Sequence, residues 1–277
     1  MAEFDHGTIY PLADAAFFNS SMLATVTNVV SRAQNFMTTP CPENPWLPFL
    51  ANETLCQAVR DLQVVATSAR VKAEKSAGRN VIDPFTALFQ MQLLQIKPED
   101  WPLIEQNRQI EKSLQNEIGN FHQKILGGIP GWKNLHTGSV VDLVCEERRI
   151  VAEVKNKHNT LKASDQANLY DKLHDLVRKK GQAYAGFTAY YVEIIPKTAT
   201  RYDKPFTPAD NTTGTRKSED ALIRRIDGAS FYALATGRDD ALQQVFNTLP
   251  KAFAALGLPA VQHSLLEDYF SAAFGSN

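Results

Sequence analysis

Residues 139–145 (SVVDLVC) and 149–155 (RIVAEVK) are two short β-branched runs divided by the polar tripeptide Glu146-Glu147-Arg148. Runs of this length around a tight polar turn read as a β-hairpin. Both are apolar on both faces, the pattern of strands that lie in the middle of a sheet and are covered on each side. This feature excludes an all-helical fold and requires layers above and below the hairpin. It also isolates two anomalies: Asp142 among Val140, Val141, Leu143 and Val144, and Glu153 among Val151, Ala152 and Val154.

The neighbouring segments can supply those layers. A helix is expected over 164–182, opened by Ser164 and closed near Gly181. A third strand is expected over 186–196 (GFTAYYVEIIP) and a fourth over 230–236 (SFYALAT), with a polar Pro/Gly/Thr-rich loop over 201–217 between them. Helices over 239–256 and 264–274 close the chain. Upstream, the pattern predicts helices over 13–36, 52–76, 83–95 and 97–126. Asn52 is a good N-cap, Asp83-Pro84 pairs a cap with a first-turn proline, and Gly78, Gly127-Gly128 and Pro130 are stop signals. Four prolines within 39–48 mark a loop. Gly119, inside the last of these helices, costs about 1 kcal/mol relative to alanine, which suggests a close packing contact there. The order of elements gives an α/β fold, a mixed β-sheet core flanked by helices with an N-terminal helical region. Residues 1–96 are expected to form that region packed on the core, and 97–277 the core with its C-terminal helices.

Bulk properties narrow the function classes. The chain of 277 residues has 44% hydrophobic and 21% charged residues, ordinary globular values, and no apolar run of the ~20 residues a membrane span needs. The first ten residues carry Glu3 and Asp5 with no basic cluster ahead of an apolar stretch, so no signal peptide is expected and the protein reads as soluble and cytoplasmic. Cys41, Cys56 and Cys145 are odd in number and none sits in a CxxC pair, which argues against a disulfide framework and a zinc site. The net charge of −1 hides a split: residues 148–225 hold 16 Lys+Arg and 9 Asp+Glu, a net of +7. Such a split points to one basic face suited to nucleic acid.

Burying a carboxylate in a sheet is costly unless it is paired or holds a metal. Asp142 and Glu153 lie on adjacent strands of one hairpin, and the period of two sets Lys155 on the same face as Glu153. Two carboxylates can bind Mg²⁺, a hard cation that prefers oxygen ligands. The metal polarises a phosphate and activates a bound water, while a lysine orients that water and offsets the charge growing on the phosphorane. The same residues also allow a plain internal ion pair, Glu153 with Lys155 or Asp142 with Arg149.

Residues 153–160 read Glu-Val-Lys-Asn-Lys-His-Asn-Thr. Here the chain resembles type II restriction endonucleases of the PD-(D/E)xK superfamily, most of all the branch with an E-(V/I)-K-N-K-x-N-T core that cuts short GC-rich palindromes. The likeness covers roughly 107–210 and is densest over 139–160. It implies a restriction-endonuclease-like fold and Mg²⁺-dependent, sequence-specific hydrolysis of double-stranded DNA that leaves 5′-phosphates. Asp142 matches the first acid and Glu153 the second, both metal ligands, and Lys155 matches the catalytic lysine; the usual proline before the first acid is replaced by Val141. The superfamily often adds an acid from the preceding helix. Glu117 is the candidate, with Glu111 in reserve, and an ordinary helix glutamate is the alternative. Cutting both strands implies a homodimer at least when bound to DNA, and the resemblance implies a cognate DNA methyltransferase in the same system.

Asn156, Lys157, His158 and Asn159 follow the catalytic strand and are expected near the DNA. So are Arg178 and Lys179 at a helix end, Arg201 and Tyr202 in the polar loop, and Arg224 and Arg225 just before the fourth strand; arginines are the usual readers of guanine edges. Phe187, Tyr190 and Tyr191 read as core. Two other functions stay open: a repair or junction-resolving nuclease with the same core, and a non-catalytic DNA-binding protein whose acidic hairpin is only an ion pair.

Overall fold

The computed structural model describes residues 39–43, 45–75, 82–135, 138–210, 213–259 and 264–275. The helix expected over 13–36 lies outside them, as does Gly78. From Thr39 onward the chain forms one compact unit.

The elements in chain order are helices α1 (Asn52–Lys75), α2 (Pro84–Leu93) and α3 (Trp101–Gly127), strands β1 (Lys133–Asn134), β2 (Leu143–Cys145) and β3 (Ile150–Lys157), and helix α4 (Ala163–Arg178). Strands β4 (Thr188–Ile195), β5 (Asp203–Pro205), β6 (Ala209–Asp210), β7 (Thr215–Arg216) and β8 (Ile223–Asp227) follow, then helices α5 (Gly228–Thr236), α6 (Ala241–Ala255) and α7 (Ser264–Phe274). Six strands form one mixed sheet in the order β1-β2-β3-β4-β8-β5. The hairpin pairs are antiparallel, whereas β3, β4 and β8 run parallel, as strands linked by crossovers must. Helix α4 packs Leu169, Tyr170, Leu173 and Val177 onto Val151, Ala189 and Tyr191 of one face. The other face meets α3 and α5, with Trp132 and Tyr190 edging the Phe231 ring at 5.3 and 5.9 Å. Among the described residues no helix is long and apolar enough to cross a membrane.

Several expectations change. Residues 230–236 are helical, and the strand is Ile223–Asp227 instead. Asp227 caps the helix by accepting from the Ser230 N–H at 2.9 Å, and Gly237 ends it at φ 73°. Gly228 lets that helix begin flush against β4, because a Cβ there would stand 2.4 Å from the Ile194 carbonyl oxygen. The hairpin's first strand is shorter than expected, since only Leu143–Cys145 pair as a strand. Residues 139–141 leave the ladder, and one further bond, from Asp142 N–H to the Ala152 carbonyl at 2.9 Å, extends it. Gly119 has open space where a Cβ would go, so no close contact explains it.

Cys41 and Cys56 form a disulfide across 15 residues, which corrects the expectation against disulfide bonding. The bridge ties the proline-rich loop to α1, and Asn52 fastens the same loop by accepting from the Trp46 N–H and donating to the Pro42 carbonyl. Cys145 is buried and free, as a small core residue should be. The α4 helix starts at Ala163 behind Lys162, so Ser164 lies within its first turn rather than at the cap.

Candidate active site

The hairpin register sets Leu143 opposite Ala152. One step further sets Asp142 opposite Glu153, where an antiparallel pair turns both side chains to the same face. Asp142 is fixed from three directions: its N–H donates to the Ala152 carbonyl, its carbonyl accepts from the Leu135 N–H at 2.8 Å, and its Oδ2 accepts from the Val154 N–H at 2.7 Å. Lys155 Nζ lies 2.5 Å from Glu153 Oε1, with side-chain exposures of 24% and 15%. These fractions leave the groups covered yet reachable by water. The two carboxylates and the ammonium therefore converge at one point, on strands buried by the rest of the sheet.

The electrostatics record the crowding. Burial pushes the Asp142 carboxyl above its ordinary range, opposed by the Val154 N–H and the Lys155 ammonium. Burial, and then the neighbouring Asp142 charge, push Glu153 up as well. Such a pair holds surplus negative charge that a cation would relieve.

These three residues form the floor of a cleft of about 890 Å³. One wall comes from the C-terminal half of α3 (Asn120, Gln123, Lys124), and the other from α4 (Asp165, Asn168, Leu169, Lys172). Sequence reasoning missed both walls. The signal was present in α4: Asp165, Asn168 and Lys172 follow at three- and four-residue spacing and so share one helix face. Asn168 and Lys172 are exposed and line the cleft, so their donors are available to whatever fills it.

Glu117 is buried at 9%, but its two oxygens accept from Lys124 Nζ and Asn120 Nδ2, each at 2.8 Å. Lys124 also meets Asp61 of α1 at 2.9 Å. Glu117 is not among the cleft-lining residues, and among the described residues no three acids, histidines or cysteines converge as a metal cage. Glu111 lies on the exposed side of α3, holding Gln115. The donor set on the floor is thus two carboxylates open to water, which fits Mg²⁺, an ion usually bound through one or two carboxylates while it keeps several waters.

The remaining predicted contacts divide in two. Lys157 ends β3 and Asn159 follows it, both exposed, and Asn156 and His158 keep a buried Oδ1 and Nδ1 without partners. The arginines of the basic stretch are engaged: Arg178 with Asp220, Arg201 with Asp239, Arg224 with Asp203, and Arg225 with Glu193. Lys179 pairs with Asp175. Tyr202 donates its hydroxyl to Glu193 at 2.5 Å. Arg224 and Arg225 lie within β8 and not ahead of a strand, and Glu193, in register with Lys155 on β3, is fully buried.

With this geometry in hand, the likeness to known proteins is informative. A family model described as Eco47II restriction endonuclease matches residues 47–256. The chain is 46% identical over 206 residues to the type II restriction enzyme Eco47II of Escherichia coli, which covers 74% of this chain and 86% of that protein. It is 30% identical over 214 residues to the type II restriction enzyme Sau96I of Staphylococcus aureus, covering 76% of this chain and 80% of that one.

Proposed function

The chain belongs to the Eco47II restriction endonuclease family, and from that premise we propose that Asp142, Glu153 and Lys155 are the groups with which it cuts DNA. It is a type II restriction endonuclease, a site-specific deoxyribonuclease acting on double-stranded DNA. The observation that carries the site assignment is the convergence of two mutually repelling, half-buried carboxylates with a lysine ammonium on the floor of an open cleft.

Asp142 and Glu153 would hold Mg²⁺, which when bound polarises the scissile phosphate and acidifies a water. Lys155 reaches the same point and orients the attacking water while its charge offsets that of the phosphorane. The water oxygen bonds to phosphorus and the bond to the 3′-oxygen breaks, leaving a 5′-phosphate and a 3′-hydroxyl. Asn168 and Lys172 on one wall and Gln123 on the other supply donors for backbone phosphates, the contacts that position a duplex without reading it. Glu117 acts at one remove, by holding Lys124 and Asn120 in the α3 wall. Base readout belongs to loops and strand ends beyond the cleft, with Lys157, Asn159 and Arg201 as candidates, whereas Arg224 and Arg225 are held inside β8 by Asp203 and Glu193; a short GC-rich palindrome would suit an arginine. A palindrome has a twofold axis and two scissile bonds, so two copies act together. A methyltransferase of the same specificity would protect the host DNA.

The test is incubation of the protein and its Lys155→Ala and Asp142→Ala variants with phage DNA, in Mg²⁺ or in EDTA. Discrete fragments with Mg²⁺ alone, and intact DNA from both variants despite retained binding, are the expected results. A fully active Asp142→Ala protein would overturn the assignment.

A further inference from the structure

Helix α2 has an unusual composition for a helix in this position. Residues 84–96 contain no charged side chain, in a chain that is 21% charged overall. The helix is nonetheless well made. Asp83 caps it by accepting from the Phe85 N–H at 3.0 Å, and Gln90 Oε1 accepts from the indole of the buried Trp101, which fastens α2 to the start of α3. Yet α2 buries none of its own residues. Phe85, Leu88, Phe89 and Leu93 fall at i, i+3, i+4 and i+8, one continuous stripe, and are 68%, 57%, 56% and 75% exposed. Leu94 (67%) and Leu103 (62%) extend it onto the connection and the first turn of α3.

Six large apolar side chains more than half exposed present on the order of 600–700 Å² of apolar surface. That exceeds what a monomer ordinarily leaves open and approaches the ~800 Å² each partner contributes to a stable complex. The face lies some 20 residues along α3 from Gln123, or roughly 30 Å at 1.5 Å per residue, so it is not part of the cleft. Its lack of charge excludes nucleic acid as the occupant. It also removes the repulsion that a charged patch would meet in its own twofold copy, where each residue faces a symmetry mate of the same sign.

We propose that the α2 stripe, with Leu94 and Leu103, is the surface on which two copies of this chain associate. The number of copies rests on the reading of a nuclease that cuts both strands; the location of the contact does not. The apolar stripe pairs with its own twofold mate as two amphipathic helices do, and it exists before DNA is present.

The experiment is sedimentation of the full chain without DNA, beside Leu88→Glu/Phe89→Glu. Because no residue of α2 is buried, this variant keeps the parent's circular dichroism and melting temperature. The parent is expected to sediment as a dimer of the 30.8 kDa chain at low micromolar concentration, and the variant as a monomer, its dissociation constant raised at least a hundredfold. A parent that stays monomeric at tens of micromolar, or a variant as dimeric as the parent, overturns the proposal. Hydroxyl-radical footprinting of a monomeric parent then names the other occupant: protection of Phe85 and Phe89 would mean that residues 1–38 of the same chain cover the stripe. Neither measurement involves cleavage, so a failed dimer contact and a failed nuclease assignment remain distinct.

Discussion

Arg225→Met should destabilise the fold more than Glu193→Ala, although both break the same ion pair. Glu193 has no exposure, accepts from Arg225 Nε at 2.9 Å and Nη2 at 2.7 Å, and accepts from the Tyr202 hydroxyl at 2.5 Å. Arg225, by contrast, is 28% exposed and lies over the Tyr191 and Tyr202 rings. Removing one partner of a buried pair costs roughly 3–5 kcal/mol because the other is left uncompensated. With Arg225 gone, a carboxylate with no route to water keeps a single hydroxyl donor, which places the loss near the upper end, about 4–5 kcal/mol. With Glu193 gone, the guanidinium can turn toward solvent and keeps its aromatic neighbours, so the loss falls to about 2–3 kcal/mol, including roughly 1 kcal/mol for the Tyr202 hydrogen bond. Replacing both by apolar residues (Glu193→Leu with Arg225→Met) removes both charges and should recover at least ~2 kcal/mol relative to Arg225→Met alone, a coupling that a double-mutant cycle with the Glu193→Leu single variant reads. The assay is urea unfolding at pH 7. The reversed order, or a loss below ~1 kcal/mol for Arg225→Met, would refute the claim that the buried Glu193 depends on Arg225 as its partner.

Asp142→Asn should abolish cleavage and yet raise the melting temperature in EDTA at pH 8 by about 2–4 °C, the shift that ~1 kcal/mol produces in a chain of this size; calorimetry decides. The sign follows from the raised folded-state carboxyls: the folded pair holds protons the unfolded chain has released, so it lowers stability as pH rises through the pair's range, and the gain in the variant should vanish in acid. His122, whose Nδ1 lies 3.0 Å from the Tyr232 hydroxyl, is held by burial at about 4. Its folded pKa is therefore below the unfolded ~6.5, and on the order of 3 kcal/mol of stability is present above pH 6.5 and lost as pH falls toward 4. His122→Gln should flatten the urea midpoint across that window. Gly228→Ala puts a methyl 2.4 Å from the Ile194 carbonyl oxygen and should cost about 2–3 kcal/mol in urea unfolding, because backbone rather than a side-chain tip must yield.

The acidic hairpin was legible in the sequence because acids in β-branched runs are rare, and a cost that large needs a reason. The neighbouring strand was not, and the cause is compensation at a distance. Residues 223–227 (IRRID) look like a polar turn, but Ile223 and Ile226 are buried while the two arginines between them are neutralised by Asp203 and Glu193, up to 32 residues away. Conversely, 230–236 carries strand-like aromatics, yet the Asp227 cap and Gly237 decide for helix. Propensity lost to capping in one case and to tertiary pairing in the other. The cleft walls were hidden for another reason: Asn168 and Lys172 are ordinary exposed helix residues until α4 is laid across β3. The Cys41–Cys56 bridge could not be read from spacing at all, since what brings the pair together is the Asn52 anchorage of the loop.

The hydrogen bond from the Val154 N–H to Asp142 Oδ2 has a consequence for control of the enzyme. Its donor lies on the backbone between Glu153 and Lys155, so the strand that carries two of the proposed active groups is also the strut that aims the third. Any slip or fraying of that strand displaces all three at once, because a shift of one residue turns Glu153 and Lys155 to the opposite face and withdraws the amide from Asp142. A partly folded or freshly made chain would thus carry no residual nicking activity. For an enzyme that cuts double-stranded DNA, that all-or-none assembly confines cleavage to the finished fold.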